Sequence, residues 1–146
     1  MISINYELEL SYQFVPMGRY PTWKPVVAVR ISAGQRYQDT AALVDSGADY
    51  SIFDAEFADA LGLGLTEGRP ISLIGLDGKD HIGYLHRVAI RILGDAAETL
   101  PVVKAEVIFR QNHPSEVGNI LGRHDFFRAL KVGFHEPKQK VYLAKV

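Results

Sequence analysis

Apolar and polar positions alternate from Ser3 to Val15, with Ile4, Tyr6, Leu8, Leu10, Tyr12 and Phe14 on one side and Asn5, Glu7, Glu9, Ser11 and Gln13 on the other. A two-residue period places the first set on one face of a pleated chain, which predicts a half-buried strand. Residues 16–25 hold Gly18, several prolines and Trp23 and read as an irregular connection, after which Val26 to Ile31 resumes a strand. Gly34 marks a turn. Tyr37 to Val44, Ile71 to Ile74, His81 to Leu93 and Leu100 to Arg110 are further strands, bounded by glycine, aspartate or proline.

Two segments break the alternation. Asp54 to Gly62 offers an N-cap acid, apolar Phe57 and Leu61 four residues apart, and a glycine in the position that ends a helix, so a short helix is predicted. His124 to Leu130 is a second, with Phe126, Phe127 and Leu130 facing inward. Lys131 to His135 and Lys140 to Ala144 alternate again around Glu136-Pro137-Lys138-Gln139, which predicts a hairpin.

Composition narrows the function classes. The 146 residues suit one domain, and acidic and basic residues nearly cancel at a net charge of -1. With no run of Lys or Arg, neither nucleic acid nor an anionic membrane is expected as a partner. The absence of cysteine excludes disulfides and thiol chemistry. Met1 to Leu10 has neither the basic start nor the continuous apolar stretch of a signal peptide, and no later run has membrane-spanning length, so a soluble cytoplasmic protein is expected. His81, His86, His113, His124 and His135 lack metal-ligand spacing, and Gly62, Gly64 and Gly68 miss the spacing of a phosphate cradle. No metal or cofactor is expected.

The stretch Ala41-Ala42-Leu43-Val44-Asp45-Ser46-Gly47-Ala48-Asp49 sets a carboxylate, a hydroxyl and a glycine at the end of a small apolar run. On the residues alone two readings are open. An acid followed by serine and glycine suits an ordinary turn. It equally suits a catalytic aspartate on a tight loop, where Gly47 lets the backbone approach another chain and the Ser46 hydroxyl ties the loop to its surroundings.

Three stretches then act together: Leu43 to Asp49, Asn119-Ile120-Leu121-Gly122-Arg123, and Phe126 to Phe134 continuing into Val141-Tyr142-Leu143-Ala144. In order and spacing they resemble the retropepsin-like aspartic proteases, single-lobe relatives of the pepsins. The resemblance covers residues 26–146 and leaves 1–25 as an N-terminal strand and connecting segment, within a single domain overall. Ser46 stands where threonine is commoner. The resemblance implies an all-β fold with short helices, a closed β-barrel of the acid-protease type with one lobe per chain. It further implies Asp45 as the catalytic residue, Ser46 and Gly47 as its loop support, Ala48 and Asp49 as substrate-binding, and an ion pair between Asp49 and Arg123. Gly75, Leu76, Asp77, Gly78 and Lys79 fall where the family keeps the flap that closes over substrate.

Hydrolysis of a peptide by this chemistry uses two carboxylates sharing one proton, one acting as base towards water and the other as acid towards the carbonyl oxygen. This chain has one Asp-Ser-Gly, and no copy of it occurs at Asp39, Asp77, Asp95 or Asp125. The implied function is therefore an aspartic endopeptidase whose dyad forms across a homodimer, acting on a peptide or protein substrate. The function weighed against it is a noncatalytic peptide-binding or scaffold domain that retains the protease fold.

Overall fold

Val27, Val29 and Ile31, spaced two apart, are at most 1% exposed, and the same alternation along the later strands supplies the rest of an apolar interior. The computed structural model describes residues 5–16, 22–74 and 78–146. Its strands are β1 (Leu8–Ser11), β2 (Gln13–Val15), β3 (Thr22–Lys24), β4 (Val26–Ala33), β5 (Arg36–Val44) and β6 (Ser51–Asp54), followed by helix α1 (Ala55–Ala60). Then come β7 (Arg69–Ile74), β8 (Asp80–Ile92), β9 (Val103–Arg110), β10 (Asn119–Leu121), helix α2 (Phe126–Ala129), β11 (Leu130–His135) and β12 (Lys140–Lys145).

Six of these strands close on themselves. The order β4-β5-β10-β6-β9-β8 returns to β4, where Val29 to Ser32 pair with Ile92 to Ala89. Closure gives each of these strands a partner on both sides over part of its length and confines Val44, Phe53, Ile90, Val107, Phe109 and Leu121 to a common core. β7 lies outside the ring on β8. The fold is thus the mostly β, closed-barrel architecture that the resemblance implies. Among the described residues no helix is long and apolar enough to cross a membrane.

Helix α1 begins as its sequence predicts: the Asp54 carboxylate accepts a hydrogen bond from the Glu56 amide, and Gly62, at φ +72°, ends the turn in the left-handed region. The hairpin of β11 and β12 also forms where expected, and β1 extends it into a three-stranded sheet in the order β1-β12-β11. Leu8, Leu130, Val141 and Leu143 are buried beneath that sheet, and Phe126 of α2 is fully buried beside them.

The N-terminal region departs from the periodicity. One strand was expected from Ser3 to Val15; instead β1 stops at Ser11 and β2 starts at Gln13. The break sits at Tyr12, whose amide donates to the Gln139 carbonyl at 2.8 Å and whose hydroxyl donates to Glu136 Oε2 at 2.8 Å. Those bonds fix Tyr12 to the turn between β11 and β12, and the chain leaves that sheet to pair with β3. Phe14 is consequently 50% exposed, although the alternation assigns it to the buried side. Thr22 to Lys24, read as irregular from its prolines, is strand β3 because β2 offers it a partner. Ser3 and Ile4 lie outside the described residues.

Burial and the Glu136 carboxylate push the Tyr12 phenol up to about 12. Tyr12→Phe removes the hydroxyl bond and leaves the ring, so unfolding in urea is expected to show a loss of about 0.5 to 1.5 kcal/mol. An unchanged midpoint would mean that the Tyr12 hydroxyl bond adds nothing to the backbone pairing and apolar packing that hold the N-terminal strand.

Candidate active site

Strands β5 and β6 are consecutive in the chain but do not pair; β10 lies between them, parallel to β5 and antiparallel to β6 at Ile120 and Ile52. The loop from Asp45 to Tyr50 therefore has to pass over the end of β10. Backbone hydrogen bonds fasten it there. The Asp45 amide donates to the Leu121 carbonyl at 3.0 Å, the Arg123 amide to Ala48 at 2.9 Å, and the His124 amide to Asp49 at 2.7 Å. On the other side the Val44 amide donates to the Pro25 carbonyl at 2.9 Å.

Within the loop the Gly47 amide donates to Asp45 Oδ1 at 2.9 Å, and the Ala48 amide to the Asp45 carbonyl at 3.2 Å. A Cβ at position 47 would lie 3.2 Å from the same Oδ1, so glycine keeps the carboxylate uncrowded while its amide holds it. Asp45 is half-buried, and Ser46 beside it is exposed. The carboxylate is thus held in place by the loop and still open to a partner or substrate.

A buried polar cluster beneath the loop escaped sequence reasoning. A Cβ on Gly122 would sit 2.5 Å from the Tyr50 carbonyl oxygen, so the two chains approach more closely than any side chain permits. The Gly122 amide donates to Ser51 Oγ at 3.0 Å, and the Ser51 hydroxyl donates to Asp125 Oδ1 at 2.9 Å. The Phe126 amide, at the start of α2, donates to that same oxygen at 2.6 Å. Asp125 Oδ2 is buried with no hydrogen-bond partner among the described residues. Burial pushes the Asp125 carboxyl above its usual 3.8, against the opposing pull of the Ser51 and Phe126 donors. Asn119 adds a second cross-link: its Oδ1 accepts from the Asp54 amide, and its Nδ2 lies 3.3 Å from both Thr40 Oγ1 and the Ala41 carbonyl.

Asp49 and Arg123 are brought together, but at the surface. Asp49 Oδ1 and Arg123 Nη1 are 3.9 Å apart, with the side chains 85% and 63% exposed. The backbone bonds from Arg123 and His124 are the firmer link between these segments. Asp49, Tyr50, Arg123, His124, Phe127 and Arg128 line an open cleft of about 510 Å³ next to the loop. The flap positions fall on the turn joining β7 and β8, whose last described pair is Ile74 with Asp80. Gly75, Leu76 and Asp77 lie outside the described residues; Gly78 has φ +74°, a Cβ there would meet no atom within 4 Å among the described residues, and Lys79 is exposed. Ile74 and Ile82, flanking that turn, are 80% and 59% exposed.

A double-mutant cycle with Asp49→Ala and Arg123→Ala is expected to give a coupling energy of about 0 to 1 kcal/mol, as for solvent-screened pairs; a larger value would place the pair under cover in solution. Asp125 is tested by pH. A native carboxyl that holds its proton more tightly than the unfolded chain does gains relative stability as pH falls through its raised value, fully so below 3.8. Wild type should therefore gain on Asp125→Asn in unfolding free energy as pH is lowered from neutrality. A difference that stays flat with pH would show that this carboxyl does not titrate against folding.

Against known proteins, no curated sequence matches the chain. A family model described as aspartyl protease matches residues 27–124, a span that runs from the first barrel strand through the Asp45 loop to the residue before Asp125. With well over half of the chain matched, and with β10 inserted beneath the same loop on a single closed barrel, the chain belongs to the aspartyl protease family in its single-lobe, retropepsin-like form.

Proposed function

We propose that the protein is an aspartic endopeptidase that works as a homodimer, with Asp45 of each subunit forming the dyad. The observation that carries this reading is the Asp45 loop itself. One half-buried carboxylate, positioned by the Gly47 amide and by the backbone bond to Leu121, stands at a surface where a second copy related by a twofold axis can present its own.

Two carboxylates a few Å apart cannot both ionise easily, so such a dyad retains one proton. The ionised member takes a proton from water as that water attacks the scissile carbonyl carbon. The protonated member gives its proton to the carbonyl oxygen, and the tetrahedral species then collapses with transfer of a proton to the leaving amine. Gly47 leaves room beside the carboxylate, and Ala48 and Asp49, which follow it, are the segment best placed to meet an extended substrate. The hairpin of β7 and β8, with apolar Ile74 and Ile82 exposed near its turn, serves as the flap that excludes water.

Asp45→Asn keeps the size and the loop bonds but removes the carboxyl that takes up and gives back a proton. Cleavage of a mixed peptide library is expected to fall by about 10²- to 10⁴-fold or more while the variant stays folded and dimeric. Specific activity of the wild type should also drop on dilution below the dimer constant. Undiminished cleavage by the purified variant would remove the protease reading. A dimer that binds peptides and never cleaves them would favour the noncatalytic scaffold instead.

A further inference from the structure

Strands β2 and β3 form a two-stranded sheet that pairs with no third strand among the described residues. A pair of three-residue strands is marginal in water by itself, so this hairpin depends on what it touches. Both of its ends are anchored. Ahead of it, Tyr12 is bonded to Gln139 and Glu136; behind it, the Pro25 carbonyl accepts from the amide of Val44, the residue before Asp45. Between those anchors Phe14 and Trp23 are cross-strand partners with ring centroids 5.6 Å apart, and they are 50% and 49% exposed. Two large aromatic side chains held together and left half in solvent mark a contact surface.

We infer that the β2–β3 hairpin is a dimer arm, whose Phe14 and Trp23 are buried against a second copy of this chain next to the paired Asp45 loops. The inference rests on the dyad reading above. One chain supplies half of the dyad, so the surfaces around each Asp45 must face one another for the site to be complete. The arm is rooted in that surface: Pro25 is bonded to Val44, and Val26 lies opposite Leu43 at the start of β4. In the proposed dimer each arm packs on the partner subunit, and the twofold axis makes the two contacts equivalent. In this arrangement the N-terminal segment couples assembly to catalysis, because Pro25, directly after the strand that carries Trp23, accepts a hydrogen bond from Val44, the last residue of β5.

Trp23 is the only tryptophan, so its emission reports on this surface directly. A dilution series of the wild-type protein, followed by sedimentation velocity and by Trp23 emission, is expected to show one midpoint in both signals, with emission shifting to the red as the dimer separates. Phe14→Ala and Trp23→Ala should weaken the dimer by roughly ten- to a hundredfold while circular dichroism of the monomer stays unchanged. Tyr37→Ala, exposed at the far end of β5, should leave the dimer constant as it is. A dimer whose Trp23 emission ignores dilution, or whose constant survives both alanine variants, would overturn the arm and leave the dyad standing. So would emission that responds to added peptide and not to dilution. A wild-type chain that stays monomeric at every concentration would remove the dyad and the arm together.

Discussion

The backbone bond from the Asp45 amide to the Leu121 carbonyl is the point on which the site depends. It exists because β10, far along the chain, enters between β5 and β6 and offers its last carbonyl to the loop that joins them. A backbone donor leaving a strand has to find an acceptor or water, and here the acceptor comes from a segment that the barrel alone brings near. The further bonds from Arg123 and His124 to Ala48 and Asp49 continue the same ladder, so the loop is held by main chain and its side chains are released for chemistry. The exposed contact between Asp49 and Arg123 contributes little beside this.

The close approach of Gly122 to Tyr50 follows from that crossing, and the buried cluster follows from the approach. With no Cβ between them, the two chains bring Ser51 Oγ against the Gly122 amide and Asp125 against Ser51. A carboxylate taken out of water is costly unless donors surround it, and Asp125 has two on one oxygen and none on the other among the described residues. Burial outweighs those donors and displaces its carboxyl upward, which places a pH-sensitive group under the Asp45 loop. Asn119 meets the same demand without charge, satisfying groups from β5 and from the residue that caps α1.

The N-terminal segment shows how a terminus changes a barrel without entering it. β1 adds to the β11–β12 hairpin and buries Leu8, while Tyr12 turns the chain out of that sheet to pair with β3, after which Pro25 accepts a hydrogen bond from Val44. The segment from Leu8 to Pro25 thus links the β11–β12 hairpin to the root of the candidate catalytic loop.

Local pattern determined most of the strands: the apolar-rich runs Val26 to Ile31, Tyr37 to Val44 and His81 to Leu93, bounded by glycine, aspartate or proline, and the alternating Lys140 to Ala144 match β4, β5, β8 and β12 to within a few residues, because turn residues end a strand and a half-buried one alternates. The cap at Asp54 and the glycine at 62 set the bounds of α1 for equally local reasons. Other features were decided by contacts between distant segments. Ser51 to Asp54 is too short to show a period, and becomes β6 because β9 and β10 flank it. Phe14 alternates correctly and still faces solvent, since which face is buried depends on the strand's partner, and Tyr12 had already redirected the chain. Ser51 and Asp125 are unremarkable in sequence and meet only in space, 74 positions apart. Local pattern fixes which residues want burial; only the tertiary structure decides what lies across from them, because hydrogen-bond partners and desolvation are properties of the neighbours.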